Sequence, residues 1–324
     1  MDSRAGAAQI AGPASDQAPP ARMNPDAPEA AFVPPHVVEE PPGLAIPFVF
    51  NVPHAGDVYP ADFLAAARLD ALALRRSEDA FVDRLIAGVT ALGAPLMRAR
   101  FPRAYLDVNR EPYELDPRMF EGRLPSYANT RSLRVAGGLG TVPRVVADGQ
   151  DIYRGRIPVD VALARIEALY KPYHRALRGL VHRTARGFGH VVLVDCHSMP
   201  ASSLGRDEAK RDSPSRVDVV LGDRYGTSCA GALTDVAEAA FAQAGFRVVR
   251  NRPYAGGFIT EHYGEPSLGR HALQVEINRG LYMDERALAE KPGFSALGAR
   301  LVGVFAEIAT AWAAETGPRR MAAE

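Results

Sequence analysis

The chain has 324 residues, 47% of them hydrophobic, and 38 Lys+Arg exactly offset 38 Asp+Glu. That balance lacks the basic excess of a nucleic-acid binder, and two cysteines can form neither a disulfide scaffold nor an all-cysteine zinc site. No run of about 18 apolar residues predicts a membrane-crossing helix, so neither nucleic acid nor membrane is an expected partner and a cytoplasmic setting is.

Residues 1–42 contain 10 Ala and 9 Pro, with Phe32 as the only aromatic. So little apolar surface cannot offset ordering entropy, which predicts a disordered tail followed by one domain over 43–318. The run from Ala45 to Val52 reads as a buried strand that ends at Pro53-His54-Ala55-Gly56. Residues 60–75 and 79–92 read as helices, the second capped by Ser77. Leu96–Arg100 and Tyr105–Val108 read as strands. Residues 111–157 are rich in Gly, Pro and Arg without a clear period and form a long excursion. Apolar residues spaced by three and four predict a helix over 158–186. His190–Asp195 reads as a central strand, with further strands at Val217–Leu221, Phe246–Arg250 and Ala272–Ile277. Helices are expected over 229–244 and 294–315. The alternation predicts a single α/β domain.

In open α/β sheets, ligands bind beyond the carboxyl ends of strands. Polar residues follow apolar runs at His54, at Asp107-Val108-Asn109-Arg110 and at Asp195-Cys196-His197-Ser198, and Glu276 lies within Leu273–Ile277. His54 and His197 suit a metal, since imidazole is a common zinc ligand and a carboxylate often joins two histidines. Asp57 and Asp79 are both candidates for that third ligand. Glu276 is either a general base or, by strand alternation with Gln274 and Asn278, a solvent-facing residue; alternation alone favours solvent. Arg103 and Arg110 could clamp a carboxylate. Cys196 should point away from His197 and is not expected to be a nucleophile.

The ordered blocks Val-Pro-His-Ala-Gly, Arg-Ala-Tyr-Leu-Asp-Val-Asn-Arg, Val-Asp-Cys-His-Ser, Gly-Gly-Phe-Ile-Thr-Glu-His-Tyr-Gly and Leu-Gln-Val-Glu-Ile resemble the N-formylglutamate amidohydrolase family. The resemblance runs from about Ile46 to Trp312 and includes Tyr170-Lys171-Pro172-Tyr173-His174. The family is distantly similar to zinc carboxypeptidases and aspartoacylases. The resemblance implies a three-layer α/β/α fold around a mixed, mostly parallel sheet, and hydrolysis of the amide of a small anionic N-acyl amino acid at a divalent metal, Zn2+ first among them. It implies His54, His197 and Asp79, ahead of Asp57, as metal ligands and Glu276 as general base. Arg110 and Asn109 would hold the substrate carboxylate or the oxyanion, with Arg103 beside them. Thr260 and His262 would sit in a loop over the substrate. A related acyl-amino-acid hydrolase, a peptidase on the same residues and a non-catalytic homologue are the alternatives.

Overall fold

The computed structural model describes residues 32–146, 149–204 and 217–317. The first strand, β1 (His36–Glu39), precedes β2 (Phe48–Val52), and the chain then makes three short helices, α1 (Ala61–Ala66), α2 (Ala71–Arg75) and α3 (Val82–Leu85), before β3 (Leu96–Ala99). The excursion contributes a 3-10 turn (Pro117–Met119), β4 (Phe120–Glu121), α4 (Leu133–Ala136) and β5 (Ile157–Pro158) among the described residues. There follow α5 (Val159–Arg165), α6 (Lys171–Phe188), β6 (Val191–Met199), β7 (Val219–Gly222), α7 (Gly231–Gln243), β8 (Val248–Arg250), α8 (Phe258–Tyr263) and β9 (Arg270–Asn278). A small hairpin, β10 (Met283–Asp284) with β11 (Ala289–Glu290), leads into the last helix, α9 (Phe294–Thr316).

Seven strands form one mixed sheet in the order β1-β3-β2-β6-β9-β7-β8. The β1–β3 and β9–β7 pairs are antiparallel and the other pairs parallel. Every residue of β2 and β6 is buried, as expected of strands covered on both faces. Alternation divides their side chains between two cores. Val49, Leu193 and Ala272 pack with Tyr173 and Leu177 of α6. Phe50, Val194 and Val275 pack with Leu233 and Phe241 of α7 and Phe305 of α9. The result is a three-layer α/β/α domain.

Several expectations need correction. The expected tail gives up its last residues to the fold: His36–Glu39 pairs with β3, and Phe32 is fully buried against Phe101 and Tyr105 at ring distances of 5.9 and 5.6 Å. Composition hid this because one aromatic and one short edge strand suffice to anchor a segment; residues 1–31 lie outside the described residues. Phe32→Ala should cost about 3–5 kcal/mol in denaturant unfolding, the usual cost of emptying a buried aromatic site; a loss below about 1 kcal/mol would show that this segment does not pack.

The helix expected over 60–75 is split into α1 and α2, because Asp70 caps a fresh start by accepting from the Ala73 N–H (2.8 Å). Ser77 caps nothing; its hydroxyl donates to the Leu74 carbonyl, and α3 begins after Phe81 at φ 66°. The second expected helix survives as α3 and a 3-10 turn over Ala87–Leu92. Tyr105–Val108 is a turn folded back on Pro102, whose carbonyl accepts from the Tyr105 N–H (2.9 Å). The 158–186 helix is present in two pieces around a π-turn at Ile166–Tyr170, where Pro172 lacks the N–H that regular pairing needs. By length and composition alone α9 could cross a membrane: although Arg300 and Glu307 break its apolar run, an 18-residue stretch of it has a mean hydropathy of 1.4. Its face formed by Leu301, Phe305, Ile308 and Trp312 is buried in the second core.

Candidate metal centre and active site

The sheet face toward α6 turns polar at the carboxyl ends of its strands. Asn51, Asp195 and Gln274 stand in one row across β2, β6 and β9, and His197 faces Glu276 in the next. All of them are buried, so Gln274, Glu276 and Asn278 do not face water as alternation suggested. The helical layer and the excursion cover that face.

His54 follows β2 at a tight spot. A Cβ on Gly56 would lie 2.2 Å from the Phe101 carbonyl oxygen, so only glycine lets the chain pass. The His54 carbonyl accepts from the Asp79 N–H (2.9 Å), which sets these two residues side by side. Two positions later the left-handed Phe81, uncommon for a bulky residue, turns the chain into α3.

His54 Nδ1 and His197 Nδ1 both face Asp79 Oδ2, at 3.3 and 2.9 Å. Donor atoms of the three residues lie within 4.8 Å of one another, and all three are buried. Ligands of a tetrahedral zinc at about 2.1 Å lie roughly 3.4 Å apart, so two imidazoles and one carboxylate fit such an ion. Each ring is held from behind: His54 Nε2 by Asp107 (2.8 Å) and His197 Nε2 by Asp195 (2.9 Å). Carboxylates in that position fix the tautomer that leaves Nδ1 free to ligate. Asp195 is in turn held by Asn51 Nδ2 (2.7 Å), whose carbonyl oxygen accepts from the Tyr173 hydroxyl. Asp57 is exposed and lies outside the cluster.

The electrostatics favour a cation here. Burial would raise the Asp79 pKa, yet hydrogen bonds and charge from His197 and His54 hold it well below the usual carboxylate range. Burial also opposes charge on His197, but Asp195 and Asp79 outweigh it and hold the ring well above its ordinary value. Asp107 likewise stays ionised despite burial, through Arg110, Arg103 and His54. Asp195→Asn should therefore weaken divalent-metal affinity by about 10–100-fold while leaving the three ligands in place, measurable by competition with a chelating dye; unchanged affinity would remove Asp195 from this role.

A cavity of about 460 Å3 opens on this centre, with Asp79, His197 and Glu276 among its lining residues. Arg76, Arg103, Arg110 and Arg279 bring positive charge, and Leu139, Pro143, Val145 and Val146 of the excursion form an apolar wall. Glu276 accepts from Gln274 Nε2 (3.0 Å), and burial pushes its pKa up to about 7, partly offset by His197. Cys196 lies on the opposite sheet face, where burial pushes its thiol well up, so it offers no nucleophile.

Not every expected residue reaches the cavity. Asn109 instead ties two elements together, accepting from the Ile259 N–H (2.7 Å) and lying 3.3 Å from His197 Nε2. A Cβ on Gly257 would come within 2.4 Å of the Asn109 amide, and Gly256 sits at φ 123°, so each glycine of the pair has its own reason. Thr260 is fully buried and donates to the Gly257 carbonyl, and His262 lines a separate small surface pocket with Arg178 and His182. The expected loop over the substrate is thus α8, packed against β9 and β6. His174, from the block over 170–174, pins the Asp107–Arg110 turn: its Nε2 lies 2.9 Å from the Val108 carbonyl, and burial lowers its pKa to about 4.

Sequence reasoning missed Arg279, which directly follows β9, three residues after Glu276, and donates to Asp79 Oδ1 (3.0 Å) and the Ser198 hydroxyl (3.0 Å). It also assigned no role to Asp107 or Asp195, although both stood in the polar runs at strand ends.

The sequence model of the N-formylglutamate amidohydrolase family matches residues 46–283. The chain is 32% identical over 246 residues to the N-formylglutamate deformylase of Pseudomonas aeruginosa, covering 75% of this chain and 84% of that protein. It is 27% identical over 243 residues to the enzyme of that name from Pseudomonas putida, covering 74% and 83%. The crystal structure of N-formylglutamate amidohydrolase from Ralstonia eutropha JMP134 superposes with a TM-score of 0.78 at 36% identity, over 86% of this chain and 98% of that one. These relatives define the class of the protein, an amidohydrolase. The chain belongs to the N-formylglutamate amidohydrolase family.

Proposed function

We propose that the protein hydrolyses N-formyl-L-glutamate to L-glutamate and formate, using a divalent ion, Zn2+, held by His54, Asp79 and His197. The observation that carries this reading is the convergence of those three residues beside Glu276 in a cavity rich in arginine. The relatives, both N-formylglutamate deformylases, supply the acyl amino acid. Two imidazoles and a carboxylate are a donor set suited to zinc, and a metabolic substrate of this kind implies a cytoplasmic setting. When bound, the ion supplies Lewis-acid polarisation of the carbonyl and lowers the pKa of water.

The chain's own groups do the rest. Glu276 takes a proton from the attacking water as its oxygen bonds to the formyl carbon. The same carboxyl then delivers that proton to the glutamate nitrogen as the C–N bond breaks, giving a free amine and formate. Gln274 keeps Glu276 aimed, since its own oxygen accepts from the Gly257 N–H (2.9 Å). Arg103 spends one Nη2 on Asp107 (2.8 Å), and its remaining donors suit the oxygen on which negative charge develops. Arg110, expected to act there, gives Nε to the Leu139 carbonyl (2.8 Å) and Nη1 to the Asn109 carbonyl (2.7 Å), which suits it better to shaping the wall.

Zinc-loaded protein should release formate from N-formyl-L-glutamate with a higher kcat/KM than it shows toward N-acetyl-L-glutamate or a glutamyl peptide. Preference for the acetyl or peptidyl substrate would overturn the formyl assignment.

A further inference from the structure

The four cavity arginines have spent their donors unequally. Arg279 uses every nitrogen: Nε on the Ser198 hydroxyl (3.0 Å), Nη1 on the Arg76 carbonyl (3.1 Å) and Nη2 on Asp79 (3.0 Å). Arg110 is committed to two backbone carbonyls, and its Nη2 lies 3.5 Å from Asp107. Arg103 is bound once among the described residues, to Asp107. Arg76 lines the cavity from an exposed position, and its guanidinium has no partner among the described residues.

Its neighbour supplies the contrast. Arg75 forks onto Glu78 through Nε (3.1 Å) and Nη2 (3.2 Å), and Glu78 is also held by the Tyr59 hydroxyl (2.7 Å). Two consecutive arginines thus differ in kind, one locked to a carboxylate and one left without. The backbone of Arg76 is nonetheless fixed, because its carbonyl accepts from Arg279, which also holds Asp79. A free guanidinium on an anchored backbone, at the mouth of a cavity whose reacting groups lie at Asp79, His197 and Glu276, is placed to meet the end of the substrate farthest from the scissile bond. A planar fork matches a carboxylate, and substrate covering the site would strip away competing water.

We propose that Arg76 binds the side-chain carboxylate of the substrate and thereby selects acidic over neutral N-acyl amino acids, an assignment that rests on the proposed function. The test compares N-formyl-L-glutamate with the nearly isosteric N-formyl-L-glutamine in zinc-loaded wild type, Arg76→Gln and Arg76→Lys. Arg76→Gln should raise KM for formylglutamate about tenfold or more, with kcat little changed, and shrink the preference over formylglutamine by the same factor. Arg76→Lys should recover part of the preference. A parallel loss on both substrates, or an unchanged preference, overturns the assignment alone. A wild-type enzyme that cleaves neither substrate overturns the functional reading and this assignment with it.

Discussion

Glu276→Gln should keep its full complement of bound metal and lose about 10^3-fold in kcat. The amide is nearly isosteric and can still pair with Gln274, so the cavity keeps its shape while the proton acceptor disappears. The His–Asp cluster does not depend on Glu276 for any ligand atom. The pH profile distinguishes a proton acceptor from a packing residue. Burial raises the Glu276 pKa to about 7. A base works only when ionised, so wild-type kcat/KM should climb with pH on its acid side, and a bound cation nearby moves that climb to lower pH. The Gln variant should lack the limb altogether. A variant that retains metal and full activity would remove Glu276 from the mechanism.

His197→Ala should abolish both stoichiometric metal binding and activity, and excess zinc should not restore them. The substitution removes one of three ligands and also leaves Asp79 and Asp195 buried without the imidazole that separated their charges. Breaking such a pair from one side typically costs about 3–5 kcal/mol, so the variant should also unfold at lower denaturant concentration. Metal content by mass spectrometry and a urea titration read the two effects separately. Wild-type protein treated with a chelator supplies the reversible counterpart: activity falls and returns with zinc, without the stability loss that uncompensated carboxylates cause. If His197→Ala binds one equivalent of zinc as tightly as wild type, the cluster is not the metal centre.

The sheet was largely legible because β2, β6 and β9 are apolar runs that end in polar residues, and that ending located His54, His197 and Glu276. Periodicity could not show that Gln274, Glu276 and Asn278 are buried, since alternation is the same whether the polar face meets water or a covering layer. The third member of the cluster was harder to read. Asp57 and Asp79 are equally acidic, and only the family resemblance put Asp79 ahead; in the structure Asp79 is buried against both imidazoles, its N–H bonded to the His54 carbonyl, while Asp57 is exposed. Short helices were overextended wherever a capping Asp70 or a left-handed Phe81 interrupts an apolar pattern. Thr260 and His262 were misplaced because a glycine-flanked segment reads as a loop, whereas Gly257 is there to let the chain pass Asn109.

The position of β9 has a consequence for how the chain reaches this structure. Last of the seven sheet strands to be synthesised, it lies between β6 and β7, and β6 pairs with β2 across some 140 residues of intervening chain. A sheet built from such distant pairings closes slowly, since loop entropy is lost before the contacts form. Until residues 270–278 emerge, β6 and β7 each present an open edge of unpaired N–H and C=O groups flanked by apolar side chains, the kind of surface that invites pairing between chains. Glu276, the proposed base, lies on the strand that closes the gap, so the proposed site is completed by the same pairing that covers those edges.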